Sequence, residues 1–204
     1  MNLRRITALL LFVTCIFTFS CSESVKMSVD DGDYGTERVY SVIHIADYGD
    51  VYIELYPEIA PITVDNFISN VSSGIYTNTV IHWIAPGFGI QGGDPTGTGL
   101  GLEGQKRIKG EFAENGVDNK ISHIRGTLTM ARKNGDNDSA TSQFIILISD
   151  QTQLDGRYAA FARVVRGMDV VDAVAAIETF EENGYRPETD VVVTGAQIID
   201  SLPE

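Results

Sequence analysis

Pro86-Gly87-Phe88-Gly89-Ile90-Gln91-Gly92-Gly93-Asp94 runs straight into Pro95-Thr96-Gly97-Thr98-Gly99-Leu100-Gly101, so glycine recurs at short intervals through the middle of this 204-residue chain. Glycine is the residue of tight turns and close backbone approaches, and it weakens the interior of a helix or strand. The run lacks the Gly-Lys-Ser/Thr ending with which a loop cradles phosphate. It therefore reads as loop geometry, and the chain around it has to be built from short segments joined through such connections.

The flanking sequence supplies those segments. Tyr40 to Ala46 and Val51 to Tyr56 read as two strands joined across Asp47-Tyr48-Gly49-Asp50. In the second, Val51, Ile53 and Leu55 alternate with Tyr52, Glu54 and Tyr56, which gives one buried face. Pro61 opens a helix in which Val64, Phe67, Ile68 and Val71 form the apolar stripe and Gly74 suits the stop. A second helix is predicted over Met168 to Ile177, with Val170, Val171, Val174 and Ile177 in line. Short apolar runs occur at Val80 to Ala85, Thr127 to Met130, Phe144 to Ile148, Ala159 to Val165 and Val191 to Ile199. Many short strands, glycine-rich connections and two helices predict a mainly β fold, a closed antiparallel β-barrel capped by two α-helices.

The N-terminus has a different character. Arg4 and Arg5 precede an apolar run from Ile6 to Phe19, followed by Ser20-Cys21. The run is shorter than the ~20 residues of a membrane-spanning helix and reads as a secretory signal. Cys21 after a small residue resembles a bacterial lipobox, with Thr18 and Phe19 off the preferred pattern, so simple signal cleavage and a retained anchor are alternatives. Residues 1–21 are expected to be the signal, residues 22–38 with Asp30-Asp31-Gly32-Asp33 an acidic flexible tether, and residues 39–204 one domain. Lipidation at Cys21 would send Cys15 away with the signal. The domain would then hold no cysteine for disulfides, thiolate zinc sites or nucleophilic catalysis.

The formal charge of −13 becomes −15 once Arg4 and Arg5 are removed. Such a balance argues against nucleic acid as a partner and against docking on anionic lipid through a basic face. An acyl chain is the remaining route to a membrane. The expected location is beyond the inner membrane, as a periplasmic or outer-membrane lipoprotein, with the protein monomeric.

The glycine-rich motif is met downstream by Ser142-Gln143-Phe144 and Leu154-Asp155-Gly156, and upstream by Ile81-His82-Trp83-Ile84-Ala85. In order and spacing these motifs resemble the cyclophilins, over about Val39 to Leu202. The resemblance implies rotation of peptide bonds preceding proline, in a shallow groove with an apolar pocket for the proline ring. It implies Phe88 and Leu154 as pocket residues, Gln91 and Gln143 as the two glutamines, and Ala131 as a peptide contact. Other positions depart from the family: Gly89 replaces a methionine, Ile145 a phenylalanine at the pocket floor, Gln153 a tryptophan and Tyr158 a histidine. Trp83 stands where the family keeps its catalytic arginine.

That last departure has a physical meaning. Rotating an X-Pro bond sacrifices amide resonance, a barrier of ~18 to 20 kcal/mol. Catalysis must come from binding the twisted amide better than either planar form. The twisted nitrogen becomes pyramidal and gains a lone pair, at which a cationic donor can be aimed. Trp83 offers one neutral N–H and no charge, so weak activity is expected. Trp83 and Gln91 are the candidates for the catalytic role, and the partners are proline-containing segments of unfolded or exposed proteins, with no cofactor or metal. The alternatives are a chaperone or assembly module that holds such segments without turnover, and a purely structural envelope protein.

Blander readings stand beside these. Gln91 and Gln143 can brace the barrel, and Trp83 can be core filling or a surface aromatic instead of a peptide platform. His44, His82 and His123 are too scattered to suggest a metal site. Asn134-Gly135-Asp136-Asn137-Asp138 reads as a solvated turn, lacking the spaced glutamate of a calcium loop. Arg132 and Arg157, near the motifs, are candidates to replace part of the missing charge.

Overall fold

The computed structural model describes residue 32 and residues 34–203. The signal-like segment, Cys21 and the first part of the expected tether lie outside the described residues. The strands are β1 (Val39–Ile45), β2 (Gly49–Leu55), β3 (Thr79–Ile81), β4 (Trp83–Ala85), β5 (Gly89–Gly92), β6 (Thr127–Met130), β7 (Phe144–Leu147), β8 (Ala160–Arg166) and β9 (Val191–Ile199). The helices are α1 (Pro61–Ser72) and α2 (Met168–Ala175).

All nine strands share one antiparallel sheet in the order β3-β9-β1-β2-β8-β6-β7-β5-β4. Only His82 separates β3 from β4, so the two edges of the sheet are brought together and the sheet curls into a nearly closed barrel. The run Val80 to Ala85 is thus two strands. β5 was not expected as a strand, because Gly89 and Gly92 mask it. Its alternation survives in Ile90, which is buried between Ile84 of β4 and Ile146 of β7.

That register separates two faces. Ile84, Ile90, Ile146 and Leu128 are cross-strand neighbours and essentially inaccessible, forming a row inside the barrel. Because side chains alternate along each strand, the residues between them form a row on the outer face. α1 adds Phe67, whose ring meets those of Tyr76, Phe144 and Phe161 at 5.4, 6.2 and 5.4 Å. Its N-cap, Ala60, has no capping side chain. The buried Glu111 carboxylate replaces it, accepting from the N–H groups of Ile62 and Thr63 at 3.1 and 2.7 Å. α2 stops at Ala175, two residues before the expected end, while Ile177 still packs on the core.

The tether needs correction over its last residues. Tyr34 is buried against Tyr56, with ring centroids 4.8 Å apart, and accepts a hydrogen bond from Arg163 at 3.1 Å. The N–H groups of Thr36 and Glu37 donate to Glu58, and Arg38 pairs with Glu54. The compact unit therefore starts at Gly32, ahead of Val39. The acidic composition concealed this because a single tyrosine carries the apolar contact.

Candidate active site

The outer row across β4, β5, β7 and β6 reads Trp83, Gln91, Ile145, Thr129, each directly opposite the next. Two residues before Ile145, just ahead of β7, is Gln143, whose carbonyl accepts from the N–H of Ala131 at 3.0 Å. Gln91 donates through Nε2 to Oε1 of Gln143 at 2.8 Å, and Gln143 donates to the Gly99 carbonyl at 3.3 Å. The two glutamines thus form a chain, each partly satisfied and each with polar capacity left for a peptide.

Asp94 holds the loop that supplies Gly99. Its inaccessible carboxylate accepts from the backbone of Thr96, Gly99 and Gly101 at 2.8, 2.6 and 3.1 Å. Burial works to raise its pKa, but those N–H donors outweigh it and hold the carboxyl below the usual carboxylate range. Gly99 and Gly101 adopt the left-handed φ values this wrapping requires, +85° and +81°.

Phe88 sits half-buried on the turn between β4 and β5. The turn is fastened to the segment that carries Leu154. Ser149 and Gln151 both donate to the Gly87 carbonyl, at 2.6 and 3.0 Å, and the Phe88 carbonyl accepts from Ile148 at 3.0 Å. Leu154 ends a short 3-10 turn, Thr152–Leu154. The next residue, Asp155, accepts from the His123 N–H at 2.7 Å and lies 2.8 Å from Nδ1 of the buried His123 ring. Nε2 of that ring lies 3.1 Å from the Thr129 hydroxyl.

A cleft of about 390 Å³ opens beside the glutamines, lined by Gln91, Gln143, Ala131 and the loop from Gly99 to Gln105. Of these, Gln91 stands directly opposite Trp83 and Ile145 in the outer row. A peptide lying across the outer row would therefore pass the mouth of this cleft.

The family model for "Cyclophilin type peptidyl-prolyl cis-trans isomerase/CLD" matches residues 40–198. The chain belongs to the cyclophilin family. It is 35% identical over 158 residues to peptidyl-prolyl cis-trans isomerase A of Dickeya dadantii, covering 74% of this chain and 80% of that protein. A peptidyl-prolyl cis-trans isomerase of Acinetobacter baylyi is 38% identical over 159 residues, with the same two coverages. Among solved structures, a Cryptosporidium parvum cyclophilin type peptidyl-prolyl cis-trans isomerase crystallised in the presence of the dipeptide Ala-Pro superposes with a TM-score of 0.71 at 29% identity. That superposition covers 79% of this chain and 99% of the other.

In this cyclophilin the structure brings Gln91, Gln143, Ala131 and Ile145 together with Trp83 on one outer surface, and ties the Phe88 turn to the Leu154 segment. Trp83 is half-buried, edge-on to Phe88 with centroids 5.6 Å apart and edge-on to Tyr185 at 6.3 Å. It is neither barrel core nor an isolated surface ring. Gly89 lies against Ile145: a Cβ built at Gly89 would stand 2.6 Å from the Ile146 carbonyl and 3.1 Å from Ile145 Cγ2. A side chain at position 89 is thus excluded by backbone. Ile145 itself is buried. Gln153 is exposed, with its amide donating to Gln151 at 2.6 Å. Tyr158 lies under Arg132, whose guanidinium is 4.5 Å from the ring centroid. Arg157 pairs with Glu114 at 3.3 Å, so its charge is engaged away from the row.

Several contributors were invisible in sequence. Tyr185 lies a hundred residues from Trp83 and reaches it because its carbonyl accepts from Ile84 at 2.9 Å, while Thr179 donates to the Ile84 carbonyl at 2.7 Å. The segment from Thr179 to Tyr185 so covers the free edge of β4. Asp94 was readable as part of the motif but not as the organiser of its loop. His82, behind the row, is buried with neither ring nitrogen hydrogen-bonded among the described residues. Burial depresses its pKa, opposed by the nearby Asp94. In the Asn134–Asp138 turn, Asp136 takes both oxygens to Arg107 at 2.6 Å, and Asp138 accepts from Gly110 and Asn115.

Proposed function

We propose that this cyclophilin is a slow peptidyl-prolyl isomerase of an extracytoplasmic compartment, tethered through a lipid on Cys21. The observation that carries the reading is Trp83, an uncharged side chain directly opposite Gln91 in the row that holds the Gln91–Gln143 pair. The substrate proline is placed against Phe88, Ile145 and Leu154, with its flanking backbone on Gln91, Gln143 and Ala131. Exchange between the planar forms is helped by the apolar groove, which strips water from the amide, and by the glutamine donors. It lacks the charge that would favour the pyramidal nitrogen, a deficit of ~2 to 4 kcal/mol by analogy with preorganised oxyanion donors.

A second reading is favoured by Gly89 and Ile145, which leave the proline site with smaller side chains than the family pattern. On that reading the groove holds proline segments without turnover. Exchange NMR on an Ala-Pro peptide with the purified protein separates the two: enhanced cis–trans exchange supports the isomerase, and binding without enhanced exchange supports the holder. Absence of binding overturns both.

The location rests on Arg4, Arg5, the apolar run Ile6 to Phe19 and Cys21. Replacing Cys21 by Ser is expected to move the protein out of the membrane fraction, because a diacyl thioether group with an amide-linked chain supplies the multiple-signal anchoring that stable attachment needs. Unchanged fractionation together with no lipid label on the wild type overturns the lipoprotein assignment.

A further inference from the structure

The chain is strongly acidic, yet the cleft beside the glutamine pair is bordered by Arg107, Arg132 and Lys133. The three are not equivalent. Arg107 is neutralised by Asp136, and the carboxylate of Glu103 also borders the cleft. Arg38, Lys120, Arg125 and Arg157 likewise meet carboxylates elsewhere. Among the described residues, no carboxylate lies in ion-pair range of Arg132 or Lys133.

Arg132 is nevertheless held in place. Its Nε donates to the Arg157 carbonyl at 3.2 Å and its Nη1 to the Lys133 carbonyl at 3.3 Å. Its guanidinium carbon lies over the rings of Tyr158 and Phe112, 4.5 and 5.5 Å from their centroids. A stacked, tethered guanidinium loses little further freedom when it binds an anion, and presents the fork that suits a carboxylate. The same cleft is lined by Gln105, whose amide nitrogen and oxygen are both shielded from solvent and unpartnered among the described residues.

We infer that Arg132 and Lys133 select peptides with an acidic side chain flanking the proline, which enters the cleft between them and the loop from Gly99 to Gln105. The inference rests on the proposed proline site, because the cleft is lined by Gln91, Ala131 and Gln143, the residues to which that reading assigns the backbone flanking the proline. With that flanking backbone on Gln91, Ala131 and Gln143, a neighbouring side chain is expected over the cleft. The overall negative charge of the chain disfavours acidic peptides at long range, so the preference is local and position-specific. It is not a general attraction to acidic chains.

The test uses capped five-residue peptides centred on Ala-Pro, with Glu, Gln or Lys placed at each flanking position in turn. Affinities are read by NMR titration against the full-length protein at low and high salt. At one flanking position Glu is expected to bind about 3- to 10-fold more tightly than Gln, the range of one or two partly exposed charge-assisted contacts, with the ratio shrinking as salt rises. Arg132→Gln is expected to bring the Glu-to-Gln ratio near unity. Lys133→Gln, at an exposed position, is expected to lower it part-way and keeps the test decisive should loss of Arg132 disturb Tyr158. Binding of all peptides with no Glu preference at any position overturns this inference and leaves the proline site standing. Failure of every peptide to bind overturns the proline site and the inference with it.

Discussion

Replacing Trp83 by Arg puts a guanidinium opposite Gln91, at the position where the family resemblance implies a cationic donor. Two magnitudes decide the outcome. The indole is edge-on to Phe88 at 5.6 Å and to Tyr185 at 6.3 Å, contacts worth ~0.5 to 1.5 kcal/mol each. Arginine stacked on the same rings returns ~0.5 to 1 kcal/mol. The net loss is therefore on the order of 1 kcal/mol, or ~2 to 4 °C in Tm for a chain of this size. The variant should fold. On the catalytic side, a charge-assisted donor aimed at the pyramidal nitrogen is worth ~2 to 4 kcal/mol, a ceiling of roughly 30- to 1000-fold in rate.

The site will not reach that ceiling. Position 83 is only half-buried, so solvent screens the new charge, and on the proposed placement Gly89 and Ile145 offer the proline ring less contact than the larger side chains the family resemblance implies. A gain of ~10-fold is the expected outcome. Exchange NMR on one Ala-Pro peptide reads exchange rate and affinity in the same sample. The rate should rise while ground-state affinity changes much less, because the donor acts on a geometry that the planar substrate lacks. A folded Trp83→Arg protein that binds the peptide and isomerises it no faster than wild type would refute the argument. So would a wild type already as fast as arginine-bearing cyclophilins.

Phe88→Ala should weaken proline-peptide binding by ~1 to 3 kcal/mol, with a smaller loss of stability because the ring lines a groove; early melting with unchanged affinity would make Phe88 core. Gly89→Ala should destabilise the fold by ~1 to 3 kcal/mol in a denaturant titration, since its Cβ would stand 2.6 Å from the Ile146 carbonyl in a paired strand; a change under ~0.5 kcal/mol would refute this. His82 and His123 are both buried with depressed pKa values, burial being the main cause and the carboxylates of Asp94 and Asp155 respectively opposing it. The unfolded chain thus takes up protons below about pH 6.5 that the folded chain resists, so stability should fall on acidification from pH 6.5 toward 5, by at most ~1.4 kcal/mol per pH unit for each histidine. A flat or rising Tm across that window would contradict the assignment.

The barrel was legible because its segments carry local signals. The Val51-Ile53-Leu55 alternation, the helical stripe from Val64 to Val71 and the turn glycines survive without tertiary help. β5 was hidden because glycine takes an outward position, Gly89, which must pass the Ile146 carbonyl, and an inward one, Gly92, which faces Ile81. The docked Tyr34 segment was hidden because its partners, Glu58 and Arg163, are distant in sequence. In the candidate site, the motif placed Gln91, Gln143 and Phe88 by resemblance. The Trp83–Tyr185 contact, the Asp94 clamp and the stacking of Arg132 on Tyr158 depend on register and loop closure, which no local pattern encodes.

On the proposed reading, the groove retains its binding elements more fully than its means of discriminating the twisted amide from the planar ones. On the proposed placement of the peptide, Phe88 and Leu154 contact groups that are present throughout the rotation, and so would stabilise ground state and transition state alike. The large apolar face of Trp83 adds to this shared binding. A charge at position 83 would add to the difference. Strengthening shared binding lowers the concentration at which peptides are held without speeding their turnover. Such holding would keep a bound segment from aggregating whether or not its prolyl bond rotates. On this view slow isomerisation and peptide retention are two consequences of one substitution pattern, and the Trp83→Arg variant moves the protein from the second toward the first.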